Sequence, residues 1–453
     1  MVLAVSLMIV SETDSAVAAS SELSDEPIPL KNIEQLPKRT PPLIEIGPDF
    51  LGTGNIPRGI ELPTGAVWTP ALWVFGDYRT SMNYFNNGND DDISEWVNRL
   101  DLFVNLQLTG TERLLLGVSP LHRRNEFSGY FWESEENDGW ASEVNRHVTA
   151  LFFEGEFGEI FPNLDINDRG TLDVGFSIGR QAMFFQEGIM FDDTIDAFAL
   201  TRDTFMIPDL SPDTRITAMF GWNEVHRNDN REDKSAYVFG LFTETDFFTS
   251  TTSFDFAYIK ADDGDNEGGD GLYIGGGAVQ RFGHWNTDFR VNMSLALDDE
   301  SEAVSDGVLL FTEISRTLPK SDDVVYGNFF WGIDEYASAS RDDTVGGPLG
   351  RIGLLFAAVG LGNYGSALSN RADHVAGGSV GYQKFFDSHR GQIVLEAGVR
   401  KGTDNDVDDA AAVGFRLQQA LGPRYIIRLD GFLSTQENAD EGAGIRSEFA
   451  VQF

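Results

Sequence analysis

The chain has 453 residues, with 33 basic against 72 acidic side chains, a formal charge of −39, and no cysteine. That charge excludes a nucleic-acid partner, because phosphate binding needs a basic footprint. The missing cysteine excludes disulfide scaffolds, thiolate metal centres and cysteine nucleophiles. With 41% hydrophobic and 12% aromatic residues the chain is too apolar for disorder. Its longest apolar block, Ile352 to Leu361, falls well short of the ~20 residues of a membrane helix.

The first segment reads as an export signal. Val2 to Val10 is an apolar run, and Ala16-Val17-Ala18 has the small-x-small form of a cleavage site. No Lys or Arg precedes the run. Residues 1–18 are assigned to a signal peptide. Residues 19–69 hold Pro27, Pro29, Pro37, Pro41, Pro42, Pro48, Pro57 and Pro63, half of the 16 prolines. That density predicts an extended periplasmic segment, or one lining a pore mouth, and not a packed domain.

From about Leu72 the hydrophobic period is two. Leu100, Leu102, Val104 and Leu106 alternate with Arg99, Asp101, Phe103 and Asn105. Phe289, Val291 and Met293 alternate with Asp288, Arg290 and Asn292, and Ile393, Leu395 and Ala397 with Gln392, Val394 and Glu396. Successive strand side chains point to opposite faces, so each segment has one apolar and one mostly polar face. A soluble sandwich carries the same alternation. Two features favour a barrel instead. Strands of ~10 residues recur for most of the chain without a helix. The polar face carries small residues and charges of both signs, as a water-filled lumen would.

The connections alternate in kind. Short ones fall at Thr109–Glu112, Pro208–Asp213, Phe282–Asn286, Leu318–Asp323, Asp387–Gly391 and Gly422–Arg424. Between them lie 89–95, 126–138, 228–234, 262–270, 298–306, 404–409 and 437–441, with 29 acidic side chains against Arg231 and Lys234. In an up-down count these acidic spans all fall on one rim, which is the outer-membrane arrangement. The predicted fold is all-β: a transmembrane antiparallel up-and-down β-barrel over 70–453, of about 18 strands, with 16 as the alternative. Nine long loops and eight short turns join the strands. Within 338–375, Gly346 to Ala367 is either a loop folded into the lumen or an extra hairpin.

The last strand, Ile445 to Phe453, alternates and ends on Phe. It resembles the assembly signal of bacterial outer-membrane porin-type barrels, which implies that Phe449, Val451 and Phe453 are read by the barrel-assembly machinery. Gly179-Arg180-Gln181, then Glu187-Gly188, then Asp196-Ala197-Phe198 resembles the G-R-Q…G…D-A-F stretch of the alginate-export barrels. That resemblance implies a polysaccharide or oligosaccharide cargo. The lumen of that family is strongly basic, whereas the lumen inferred here mixes signs.

Chemistry-bearing patterns are few. Gly175-Phe176-Ser177-Ile178-Gly179 matches a nucleophile elbow, which needs a strand-to-helix turn. Leu172, Val174, Phe176 and Ile178 instead run as one face of a strand, so Ser177 reads as a small lumen residue. The six histidines show no ligand spacing. Asp262 to Gly268 suggests calcium, but the twelfth position from Asp263 is Ile274, not Glu.

Charges inside the strands matter more. Arg99, Asp101, Arg215, Arg290, Glu396, Arg428, Asp430, Arg446 and Glu448 all fall opposite apolar partners. Facing lipid at mid-bilayer, an Arg or Lys costs ~2–4 kcal/mol, so these residues are assigned to the pore lining. The bland reading is that they pair across strands and stiffen the wall. A channel needs both paired and unpaired charges.

Ala182 to Asp193 reads as the third outer loop, unusual in carrying Met183, Phe184, Phe185, Ile189, Met190 and Phe191. Folding against the inner wall would shelter them. A bulge at Gly179 is then expected to turn Arg180 inward to oppose Glu187, the alternative being that Arg180 snorkels at the outer rim.

The sequence therefore predicts an outer-membrane porin giving passive diffusion of small hydrophilic solutes, oligosaccharides among them. It predicts no enzyme activity, metal or cofactor. Its surroundings would be outer-membrane lipid and lipopolysaccharide, with a homotrimer left open. The alternatives are an alginate-like export barrel, an outer-membrane hydrolase and a structural surface barrel.

Overall fold

The computed structural model describes residues 40–48, 58–88, 92–133, 138–164, 166, 170–264 and 267–453. The export signal and most of the Pro-rich assignment lie outside the described residues. Eighteen antiparallel strands form the wall. The first six are β1 (Ala71–Asn86), β2 (Ile93–Gln107), β3 (Arg113–Val118 with Glu126–Glu133), β4 (Gly139–Ala141 with Val148–Glu156), β5 (Gly175–Phe185) and β6 (Phe191–Arg202). Then follow β7 (Asp213–Asn223), β8 (Tyr237–Asp246), β9 (Ser250–Lys260), β10 (Gly271–Phe282), β11 (Trp285–Ala296) and β12 (Gly307–Thr317). The last are β13 (Val324–Tyr336), β14 (Ala372–Phe386), β15 (Gly391–Gly402), β16 (Ala410–Leu421), β17 (Tyr425–Gln436) and β18 (Gly442–Gln452).

Closure is made by β18 on β1, from Ala443 opposite Asn86 to Gln452 opposite Asp77. A closed sheet leaves no unpaired edge, which is what a strand-built membrane span requires. Below the end of β18 the pairing continues. Phe453 and Gly76 exchange backbone hydrogen bonds of 3.0 and 2.8 Å, and Ile44–Ile46 then pairs with Val74–Leu72. Phe449 lies exposed on the outer face, stacked on Tyr425 at 5.9 Å.

The period-two pattern sorts the two faces. Ile178, Phe254, Val291, Phe329, Val380, Leu395 and Ile445 are exposed around the outside. Soluble monomers avoid apolar exposure on that scale, whereas acyl chains accept it. The inside is not uniformly polar. Ala197, Met219, Val238, Phe242, Ala257, Ile259 and Tyr273, from β6 to β10, form a buried apolar cluster with Met183, Met190 and Phe191.

Three connections differ from the expectation. Residues 157–174, on the turn rim, carry helix α1 (Phe157–Ile160) and a 3-10 turn at Pro162–Leu164. The third outer loop shrinks to five residues, because β5 runs to Phe185 and β6 begins at Phe191. Of its apolar side chains, Met183, Phe184, Phe185 and Phe191 are strand residues of an inward-leaning hairpin, and the buried Ile189 and Met190 sit in its tip. Phe185 stacks on Phe242 of β8 at 3.4 Å, and Phe191 packs edge-on against the same ring. Residues 346–367 make no extra barrel hairpin: β13 pairs directly with β14, and the connection folds inside.

Candidate functional site

The site is the lumen, and its charges come from alternation on particular strands. The inner face of β16, β17, β18 and β1 carries Arg416, Arg428, Asp430, Arg446, Glu448 and Arg79. Glu448 accepts from Arg79 Nε and Nη2 at 2.9 and 3.0 Å, from Arg428 Nη1 at 2.7 Å, and from Arg446. Asp430 accepts from Arg416 Nε at 2.7 Å and Arg446 Nε at 2.8 Å. Four guanidiniums thus surround two carboxylates. The acids are buried, while Arg79, Arg416 and Arg428 stay 19%, 30% and 26% exposed. The ring of Tyr364 lies 5.9 Å from the Arg446 guanidinium.

On the opposite side, the tip of the β5–β6 hairpin reaches the wall. Gln186 Nε2 donates to Ser253 Oγ at 3.0 Å and Asp255 Oδ2 at 2.7 Å. Arg290 donates to Asp288 at 2.8 Å and to Gln186 Oε1 at 3.2 Å, and lies 3.6 Å from Glu187. Arg351, from the 337–371 connection, stacks over Phe184 at 4.9 Å and comes within 3.8 Å of Glu187. Glu187 therefore faces Arg290 and Arg351, not Arg180.

Arg180 stays on the outer face. The ladders across Gly179 to β4 and β6 are unbroken, so no bulge forms. Gly179 instead takes φ 122, and a Cβ there would stand 2.2 Å from the Leu151 carbonyl oxygen. Arg180 snorkels to Asp196 at 2.8 Å and Glu224 at 3.0 Å, partners supplied by the outer rim. Arg215 is about half exposed near the turn rim, beside Asp203 and 3.8 Å from Glu244. Arg99 pairs with Asp101 along its own strand at 2.7 Å and donates to the Gly360 carbonyl at 3.0 Å. Glu396 makes no such pair: it accepts the Leu354 and Leu355 N–H groups, each at 3.0 Å.

Loops 224–236 and 337–346 interlock at the outer mouth. The His226 N–H and Nδ1 meet the two Asp193 oxygens at 2.9 Å each, and Ser340 Oγ donates to the His226 carbonyl at 2.9 Å. Burial works to lower the His226 pKa, but Asp193, with Asp342 and Asp343 beyond, overrides it and raises it to about 9. Burial and the neighbouring Asp342 push Asp343 up to about 7. Arg341 is fully buried and donates to the Gly188 carbonyl at 2.6 Å. Its desolvation lowers its pKa to about 10.

Among the described residues no three His, Asp or Glu side chains cluster as metal ligands. Ser177 sits mid-strand in β5, opposite Glu154 and Ala199, without the turn that a nucleophile elbow requires. Gly268 is buried against Arg227, so the 262–270 span is partly folded down and not wholly solvated. Sequence reasoning missed Arg79, Arg416, Arg351, Tyr364 and Glu95. Arg79 and Arg416 carry the same alternation signal as the assigned charges. Glu95 closes the acidic span 89–95, where nothing in the sequence separates it from the solvated loop acids.

The fold is similar to that of Pseudomonas aeruginosa OpdK solved with vanillate, at TM-score 0.55 and 14% identity, over 84% of this chain and 98% of that one. Acinetobacter baumannii OccAB2 is similar at TM-score 0.53 and 11% identity, with the same coverage of 84% and 98%. Escherichia coli Wzi, an outer-membrane carbohydrate-binding β-barrel involved in group 1 capsule assembly, is similar at TM-score 0.50 and 10% identity, over 83% of this chain and 84% of that one. At such identities the likeness is one of fold, and the architecture is that of a porin-type β-barrel. No protein-family model and no curated protein matches the sequence.

Proposed function

We propose that the chain is an outer-membrane channel through which small hydrophilic solutes diffuse, with no chemistry on the way. The observation that carries this is the wall of β16–β18 and β1. It sets Arg79, Arg416, Arg428 and Arg446 against Asp430, Glu448 and Asp77, the last two residues from Arg79 on β1, a surplus of 4 − 3 = one positive charge. Such a patch inside an apolar-coated barrel holds transient anions by charge and by guanidinium forks. Small carboxylates are therefore the first solute class, in keeping with the vanillate of OpdK. Oligosaccharides are the second.

Arg99, Asp101, Arg215, Arg290, Glu187 and Glu396 belong to the same lining, some through the segments they hold. Arg180 does not. The same reading surrounds the apolar band with lipid and lipopolysaccharide, and takes Phe449, Val451 and Phe453 as the signal for the assembly machinery. It leaves a homotrimer open. The test is planar-bilayer recording of the purified full-length chain, with liposome swelling in benzoate and in sugars. Discrete anion-preferring steps and faster swelling in benzoate are expected. A folded barrel that passes neither current nor solute overturns the proposal.

A further inference from the structure

Residues 355–368 form a loop closed on itself, with the Leu368 N–H donating to the Leu355 carbonyl at 2.9 Å. That length is typical of an Ω-loop. From Ile352 to Asn370 it carries no charged side chain. Arg99 donates to its Gly360 carbonyl at 3.0 Å and Asn83 Nδ2 to its Leu361 carbonyl at 3.3 Å, and two buried carboxylates clamp it. At its base, Glu396 of β15 accepts the N–H groups of Leu354 and Leu355 and the Tyr326 hydroxyl. At its tip, Glu95 of β2 accepts the Asn363 N–H at 2.7 Å, Asn363 Nδ2 at 3.0 Å and Asn83 Nδ2 at 2.7 Å.

Between β15 and β2 lie β16, β17, β18 and β1, the strands that bear the arginine cluster. Both clamping carboxylates are buried, at 0% and 4% exposure. Neither has an Arg or Lys within hydrogen-bond reach among the described residues, whereas Asp430 and Glu448 each hold several. Burying a carboxylate is costly unless its oxygens are satisfied, and here Leu354, Leu355 and Asn363 supply four of the six donors, three of them backbone N–H groups. Their placement is explained by the loop, not by the wall.

We infer that Glu95 and Glu396 are positioning residues that draw residues 355–368 across the lumen as a strap over the arginine cluster, setting its width and its exposed charge. The inference rests on the channel reading. Apart from the clamps, the strap is seated by Leu355, 2.8 Å from where a Gly414 Cβ would be, and by Tyr364, 5.6 and 6.0 Å from the rings of Phe85 and Phe432. Because the strap is uncharged, its release changes conduction by uncovering arginines and not by moving charge.

The test uses the full-length chain, which has no native cysteine. Val97 and Leu361 are fully buried in one cluster beside the tip clamp, so Val97→Cys with Leu361→Cys locks the strap when oxidised. Glu95→Ala should raise unitary conductance, shift the reversal potential further toward anions and slow formation of this disulfide. Oxidising the pair in the Glu95→Ala background should restore parental conductance and selectivity. Unchanged conductance in Glu95→Ala overturns the inference, and so does a change that the disulfide does not reverse, which would assign the effect to the Glu95 charge itself. Heat-modifiable migration checks folding, and Glu396→Gln serves where Glu95→Ala does not fold. If the folded parent passes no current, the channel reading fails separately. The disulfide rate then decides alone, equal rates with and without Glu95 overturning the strap.

Discussion

Replacing Glu448 by Gln removes the negative charge, and one of the two acceptor oxygens, on which three arginines converge. Arg446 keeps Asp430, but Arg79 and Arg428 lose their carboxylate, held at 2.9 and 2.7 Å. Removing one partner of a buried ion pair costs about 3–5 kcal/mol. Glu448 is fully buried, yet Arg79 and Arg428 are 19% and 26% exposed and can recover water. That partial access puts the loss near the lower end, about 3 kcal/mol. With Asp77 counted, the local charge goes from four cations against three acids to four against two. Two readouts follow: a lower urea midpoint in micelles by tryptophan fluorescence, and a reversal potential displaced toward anions under a salt gradient. Glu448→Asp, which keeps the charge, should move the potential far less. A Gln variant unchanged in both midpoint and reversal potential would refute the reasoning, because the cluster would then neither tie the seam nor face the conducting path.

Gly179→Ala should destabilise the barrel by about 1–3 kcal/mol, the cost of a strained backbone residue, since the added Cβ meets the Leu151 carbonyl; an unchanged urea midpoint would exclude that strain. The His226 pKa is raised from 6.5 to about 9, so its contribution is complete below pH ~6.5 and is lost as pH climbs to 9. At 1.36 kcal/mol per unit this is on the order of 3 kcal/mol. Amide exchange at Ser340 and Arg341, corrected for intrinsic rate, should lose protection across that window in the parent, whereas above pH ~8, beyond the titration of Asp343 at about 7, His226→Gln should stay flat. An epitope inserted at the exposed Asn405, in one of the acidic loops, should be labelled on intact cells; labelling only after the outer membrane is breached would reverse the topology.

Strand number and orientation were legible because one side of each strand must be apolar and the turn types repeat. The inward charges on β16–β18 were legible for the same reason: Arg428, Asp430, Arg446 and Glu448 each interrupt an apolar alternation. What alternation does not encode is which chain segment packs inside. Met183, Phe185 and Phe191 signalled a sheltered loop, but they lie in a hairpin whose seat is the inner face of β8, where Val238 and Phe242 look in sequence like ordinary strand residues. Arg180 illustrates the same limit. Its position on the apolar face was readable, whereas its rim partners Asp196 and Glu224 come from β6 and from the 224–236 loop and fix it outward. Glu95 and Glu396 are single acids in sequence, and only the fold brings them to the two ends of one uncharged loop.

The net charge of −39 opposes an anion path, and the geometry shows where that opposition acts. The acidic residues 437–441 precede β18 directly, whereas Arg446 lies four residues down that strand and Glu448 six. At about 3.3 Å per residue the cluster lies roughly 13–20 Å below the rim. The screening length is about 8 Å at 0.15 M salt and about 30 Å at 0.01 M. At physiological salt the rim field has decayed before it reaches the arginines, and the local surplus of one positive charge governs selectivity. At 0.01 M the rim reaches the cluster and raises the cation concentration at the mouth. Permeability ratios measured across that range should therefore pass from anion preference to weak or reversed preference as salt falls. Substituting the acids of 437–441 by Asn and Gln should flatten the trend without altering the high-salt value. A preference that grows more anionic on dilution would show that the cluster, and not the rim, dominates at every distance, and would remove the acidic loops from any account of selectivity.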